Sequence, residues 1–252
     1  MLLHEHLENG ADKNPNFPFS EFEGNSLSYQ EANLLSNQLA NKLVSEGLEV
    51  GDRFAFLAKN CTEMAIMYYA ASEVGAVPVP LNYRLADQEW AYIINDSEAK
   101  LIIVKGNEYS DRINQISSEL KNVKKYISIS LDNSIEKFQD FYDWLSDSSN
   151  EKPTLKIHEN DDVYQMYTSG TTGHPKGAVL LQRNVAANIR QYLNSLTLPR
   201  PSRTLLVAPM YHAAAMINMC GCIAIGGTIV IQEDFIPQDV VDCLANEKIT
   251  HT

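Results

Sequence analysis

Cysteine is scarce: four occur in 252 residues, at positions 61, 220, 222 and 243. Only Cys220 and Cys222 are close together, as C-x-C. There is no redox C-x-x-C and no second pair at metal-ligand spacing. The four read as reduced, buried small residues of a cytoplasmic protein. Positive charge is also short. Lys and Arg number 20 against 32 Asp and Glu, a net charge of −12. Such a surface repels nucleic acid and anionic lipid, so neither is an expected partner. The opening stretch MLLHEHLENGADKNP lacks a cationic leader and a long apolar run, so no signal peptide is expected. Asn60-Cys61-Thr62 has the form of a glycosylation acceptor, which means nothing without secretion. One stretch, AAAMINMCGCIAIGGTIVI at 213–231, is uncharged over a membrane-spanning length. Asn218, the Gly226-Gly227 pair and the β-branched run after it favour a buried helix, a turn and a core strand over 228–232. No transmembrane segment is therefore expected.

What is present is enough apolar content, 44%, to bury a large core. Ser28 with Glu31 three residues on forms a capping box, and Ala32, Leu35, Leu39 and Leu43 follow on one helical face. Gly47 is a natural stop. Strands are expected over 50–58, 76–80, 100–104 and 125–130, and helices over 63–74, 87–95 and 110–120. Met64, Met67, Tyr68 and Tyr69 read as core. Residues 135–145 look helical and lead into a polar stretch to 162, a surface excursion or a subdomain joint. Strands over 162–167 and 178–182 flank a polar loop. Asn184 is a candidate cap for a helix bearing Val185 and Ile189. A strand over 204–208 and a last helix starting at Pro237 complete the pattern. Helices alternating with short β-branched strands predict an α/β fold of mostly parallel sheets flanked by helices.

The loop reads TSGTTGHPKG at 168–177. It combines four hydroxyls (Thr168, Ser169, Thr171, Thr172), three glycines (Gly170, Gly173, Gly177), one cation (Lys176) and no acid. Glycine-rich turns let successive N–H groups converge on an anion. Hydroxyls add donors that rotate to follow phosphate oxygens, and a lysine adds a point charge on a flexible stem. An ordinary surface turn would accept any one of these residues alone. The loop is not a Walker A sequence: Pro175 stands five residues after Gly170, and Gly177 follows Lys176 where a hydroxyl belongs.

TSGTTGHPKG resembles the phosphate-binding signature of the adenylate-forming (AMP-binding) superfamily, which includes acyl-CoA synthetases, nonribosomal peptide adenylation domains and beetle luciferases. GLEVGDRFAFLAKN at 47–60, ASEVGAVPVPLNYRL at 71–85 and PMYH at 209–212 resemble further stretches of the same family, in the same order. The resemblance implies ATP-dependent activation of a carboxylate to an acyl-adenylate, then transfer to a thiol such as coenzyme A. It implies that Thr168, Ser169, Gly170, Thr171, Thr172, Gly173 and Lys176 bind ATP phosphates. Lys176 would also stabilise charge during catalysis, and Mg2+ would bridge phosphate oxygens. His212 matches a position that lines the acyl and thiol approach, where it would shape the pocket rather than transfer a proton. A histidine beside an apolar helix is also a common helix-end residue. Relatives that activate amino acids carry an aspartate in this motif. Residues 211–214 have none, which favours a fatty, aryl or other organic acid without an α-amino group. Ala213, Ala214, Ala215 and Met216 would suit an acyl chain or a core equally.

The family's later signatures are not found before the sequence ends at KITHT. The resemblance therefore covers the front part of the large N-terminal domain. A first α/β subdomain is expected over about 47–195, and part of a second from about 1–46 and 200–252. The small C-terminal domain is expected to be absent, and the last strand to form an exposed edge. Three readings stay open: an incomplete acid–thiol ligase, a non-catalytic nucleotide-binding or regulatory remnant, and a structural α/β module with an inert loop.

Overall fold

Alternating apolar runs fold into strands that bury both faces. The computed structural model describes residues 1–130, 135–168 and 173–252. In chain order the elements begin with α1 (Leu3–Lys13), β1 (Pro18–Phe22), β2 (Asn25–Ser28), α2 (Tyr29–Ser45), β3 (Arg53–Leu57), α3 (Thr62–Val74) and β4 (Val77–Pro80). Then come α4 (Asp87–Asp96), β5 (Leu101–Lys105), α5 (Asn107–Ile116), β6 (Lys125–Ile129), β7 (Phe138–Asp140) and α6 (Phe141–Leu145). A hairpin follows, of β8 (Asp162–Thr168) and β9 (Lys176–Leu181), running directly into α7 (Gln182–Ser195). The last elements are β10 (Arg203–Leu206), α8 (Ala213–Ala224), β11 (Thr228–Ile231) and α9 (Pro237–Asn246).

One sheet has the order β4-β3-β5-β6-β7 and is parallel throughout. A second has the order β10-β11-β1-β2, with only β2 antiparallel. The antiparallel hairpin forms a third, two-stranded sheet. Side chains two apart share a face. Phe54, Phe56, Leu101, Ile103, Ile127 and Ile129 face one core, and Ala55, Leu57, Ile102 and Val104 the other. The first core also takes Leu206, Ile229 and Ile231 from the second sheet and is filled by α1, α2, α3, α7 and α8. The outer faces are covered by α4 and α5 on the five-stranded sheet and by Cys243 of α9 on the other. Met64, Met67, Tyr68 and Tyr69 are fully buried.

Local signals act as expected at α2: the Glu31 carboxylate accepts from the Ser28 N–H at 2.8 Å, and Ser28 Oγ accepts from the Glu31 N–H at 3.3 Å. The structure departs from the sequence pattern elsewhere. α1, β1 and β2 occupy the first 28 residues, where the pattern suggested no element. Residues 135–145 are not one helix. Asp140 ends β7 and caps α6 by accepting from the Tyr142 and Asp143 N–H groups. Asn184 does not cap α7 from the outside. It lies in the first turn and its Oδ1 reaches back to the Leu181 N–H at 3.0 Å. The last strand is not an edge either. β11 lies between β10 and β1, and the outer strand is β10, bridged at Thr204 to His251. Residues 213–231 form α8, a turn and β11, and no helix among the described residues is long and apolar enough to cross a membrane.

Candidate functional site

Parallel strands deliver their carboxyl ends to a common edge, where α/β proteins place their ligands. Here the segments after β3, β4, β10 and β11 converge. The hairpin brings Thr168 and Pro175, which flank its loop, to the same region. β8 and β9 pair from Asp162↔Leu181 to Thr168↔Lys176, so the two ends of the loop stand opposite each other.

The hairpin stems are held from beneath by α4. The Tyr167 hydroxyl donates to Asp96 Oδ2 at 2.6 Å and accepts from Gln165 Nε2 at 3.1 Å. Burial, and then the Asp96 carboxylate, push the Tyr167 phenol up, so it stays a donor. On the other stem, the Tyr92 hydroxyl donates to the Pro175 carbonyl at 3.3 Å, and the Tyr92 ring stacks on His174 at 4.6 Å. Gly177 lies opposite Tyr167, and a Cβ there would come within 2.2 Å of Gln165 Nε2 and 2.9 Å of the Tyr167 ring. Gly173 has φ +140°, open to glycine and strained for other residues. Lys176 is exposed and forms no ion pair with a described residue. Ser169, Gly170, Thr171 and Thr172 lie outside the described residues.

His212 precedes α8 with extended backbone, and its carbonyl accepts from the Met216 N–H at 3.1 Å. Its imidazole is exposed and lies 4.3 Å from the Tyr211 ring. Partial desolvation, then the Arg84 guanidinium, push the His212 pKa down, which favours the neutral ring. Ala215 and Met216 are buried in the core, while Ala213 and Ala214 are exposed. Only the latter two remain available to a ligand.

A cavity of about 330 Å³ joins these parts. Thr168 and Pro175 from the loop stems, Tyr211 and His212 from the turn after β10, and Asn82 and Leu85 after β4 all line it. Its volume is that of a small-molecule site. A larger cavity of about 460 Å³ lies between the β1–β2 hairpin and α9, with Glu21, Glu23, Asp242 and Glu247 in its wall. Four carboxylates would repel a polyanion, so the smaller cavity suits a phosphate-bearing ligand better.

Sequence reasoning missed Asn60, Tyr92 and Asp96. Asn60 is buried, and its carboxamide hydrogen-bonds the turn that carries His212. The available signal was its position: an uncharged polar residue just past the end of a buried parallel strand. No local signal marks Tyr92 or Asp96, which look like ordinary helix residues.

Residues 7–252 match the family model described as AMP-binding enzyme. The chain is 30% identical over 225 residues to the long-chain-fatty-acid–CoA ligase FadD13 of Mycobacterium tuberculosis, covering 88% of this chain and 43% of that ligase. It is 30% identical over 228 residues to a feruloyl-CoA synthase of an Amycolatopsis species, covering 90% of this chain and 43% of the synthase. The chain thus spans less than half the length of these relatives. Among solved structures, the inhibitor-bound N-terminal domain of FACL13 from Mycobacterium tuberculosis superposes with a TM-score of 0.88 at 27% identity, covering 98% of this chain and 61% of that one. The anthranilate CoA ligase AuaEII, in complex with anthranoyl-AMP, gives 0.93 at 21% identity over 99% of this chain and 49% of that one, a likeness of fold.

Proposed function

Because the chain belongs to the AMP-binding enzyme family, we propose that it carries the phosphate-binding part of an ATP-dependent carboxylate-activating enzyme, an acid–thiol ligase. In the reaction a carboxylate oxygen attacks the α-phosphorus of ATP. The bond to the β-phosphate oxygen breaks, and pyrophosphate leaves with the electron pair. A thiol such as coenzyme A then attacks the acyl carbon and loses its proton, and AMP departs. The physical obstacle is an anion approaching a polyanion, which positioned donors and cations relieve.

Thr168, Ser169, Gly170, Thr171, Thr172 and Gly173 would bind phosphate oxygens, and Lys176 would neutralise charge developing on the leaving group. An exposed lysine with no ion-pair partner among the described residues fits that role. Mg2+ would ride on the phosphates. Among the described residues no group of three His, Cys, Asp or Glu gathers that could hold it with side chains alone. His212 would shape the acyl and thiol approach as a neutral ring. The lack of a carboxylate at 211–214 supports an organic acid without an α-amino group. Four free, buried cysteines support a reducing, cytoplasmic setting. We also read 47–195 as a first α/β subdomain, with 1–46 and 200–252 contributing to a second.

The observation that carries the reading is the shared cavity: the stems of the loop and His212 line the same wall. Calorimetry with Mg-ATP tests it, beside a Thr171→Val/Lys176→Ala variant. The expected result is binding by the parent chain, weakened in the variant by about 2–4 kcal/mol, the scale of a lost charge-stabilising donor. Equal binding by both would remove the loop from the site. Binding without acyl-adenylate formation on adding carboxylic acids would make the chain a nucleotide-binding module.

A further inference from the structure

We infer that Asn60 is a positioning residue: its carboxamide joins the carboxyl ends of β3, β10 and β11 and thereby sets where Tyr211 and His212 stand relative to the β4–α4 side of the cavity. Three hydrogen bonds carry this assignment. Asn60 Nδ2 donates to the Ala208 carbonyl at 3.0 Å and to the Gln232 carbonyl at 3.1 Å. Its Oδ1 accepts from the Met210 N–H at 2.7 Å. Ala208 and Met210 bracket the start of the turn after β10, and Gln232 is the residue after β11. Both amide hydrogens and the carbonyl oxygen are thus used, in a side chain only 2% exposed.

The geometry is specific to a carboxamide. Aspartate would keep an acceptor for Met210 but turn a carboxylate toward two carbonyl oxygens. Serine or alanine would leave the buried Met210 N–H without this partner. The Tyr68 hydroxyl also holds the turn, donating to the Met210 carbonyl at 3.3 Å. Beyond it, the Pro209 carbonyl accepts from the His212 N–H at 3.0 Å, so His212 inherits its place from this short segment. Beside Asn82 on the β4–α4 side, Tyr83 meets Tyr211 edge-on with ring centroids 5.5 Å apart. That contact reports how far the two lips stand apart. Lys59 offers a second tie between the same strand ends, through Asp234 at 2.7 Å, but it is a partly exposed ion pair and does not touch the turn.

The relevance to acid activation rests on the function proposed above, but the crosslink does not, and the experiment reads the crosslink. In the wild-type chain, NMR should show both Asn60 carboxamide protons exchanging slowly with solvent. Exchange at the rate of an exposed asparagine would overturn the assignment whether or not any variant folds. In Asn60→Ala, the nuclear Overhauser contact between the Tyr83 and Tyr211 rings should vanish and the His212 imidazole resonances should shift. The His4 resonances, held at Ser72 in the core, should stay in place. Lys59→Ala should retain the Tyr83–Tyr211 contact. An intact contact in Asn60→Ala, or its equal loss in Lys59→Ala, would overturn the inference. Absence of Mg-ATP binding would instead count against the proposed function and leave these readings unchanged.

Discussion

Gly177 shows how a single residue can be required by its neighbours rather than by its backbone. The missing Cβ leaves room for the Gln165 amide and the Tyr167 ring, and Tyr167 in turn holds Asp96. Gly177→Ala should destabilise the chain by about 1–3 kcal/mol, as overpacking does. It should also weaken Mg-ATP binding by displacing the hairpin stem. Urea unfolding and calorimetry together check this, and unchanged values in both would show that the stem tolerates the methyl group. The residue types of the loop, hydroxyl, glycine and lysine, could be read directly because each carries its chemistry alone. The need for glycine at 177 could not, since the obstructing side chains sit on the opposite strand.

At the scale of elements, α3 carries a buried acid. Glu73 accepts from Ser36 Oγ, its Oε2 has no partner among the described residues, and it is only 4% exposed. Burial pushes its pKa up to about 8 from an ordinary 4.5, against the opposing Ser36 hydrogen bond. Between those values the folded state keeps a proton that the unfolded state has released, so stability falls as pH rises. His4 and His6 act oppositely. Burial lowers both, His6 to about 4, so their contribution is lost as pH falls below 6.5. Above pH 6.5 only the glutamate effect remains among these three. The unfolding free energy from urea titrations should therefore drop between pH 6.5 and 8.5, at up to about 1.4 kcal/mol per pH unit. Glu73→Gln should flatten that drop, and an unchanged slope in the variant would assign it elsewhere. Local patterning revealed α2, through its capping box and apolar face, and α9, through Pro237 at its start. It missed α1, whose short mixed-polarity segment becomes a helix by docking Leu3 and Leu7 into the shared core. It also misread 135–145, where Asp140 caps a shorter helix.

At the scale of the whole molecule, the two large sheets share one core. Phe56 and Ile103 of the five-stranded sheet belong to the same cluster as Ile229 and Ile231 of the other. Arg203 on β10 reaches across to Glu21 on β1 through two hydrogen bonds of 2.8 and 2.7 Å, which holds the Glu21 carboxyl below its ordinary pKa. A common core predicts common opening. Native-state hydrogen exchange should give β5 and β11 amides the same opening free energy, within about 0.5 kcal/mol, as members of one cooperative unit do. Two separate values would mean that the sheets unfold independently. By itself, the amino-acid sequence determined the α/β alternation and the residue types of the polar loop at 168–177, because patterning and side-chain type are local properties. Only the tertiary structure decided that Asn60 meets Met210 across 150 residues. It also decided that His212 shares a cavity wall with Thr168 and that β11 lies inside its sheet. Those outcomes depend on how two sheets pack about one helical layer, and no stretch of neighbouring residues encodes that distance.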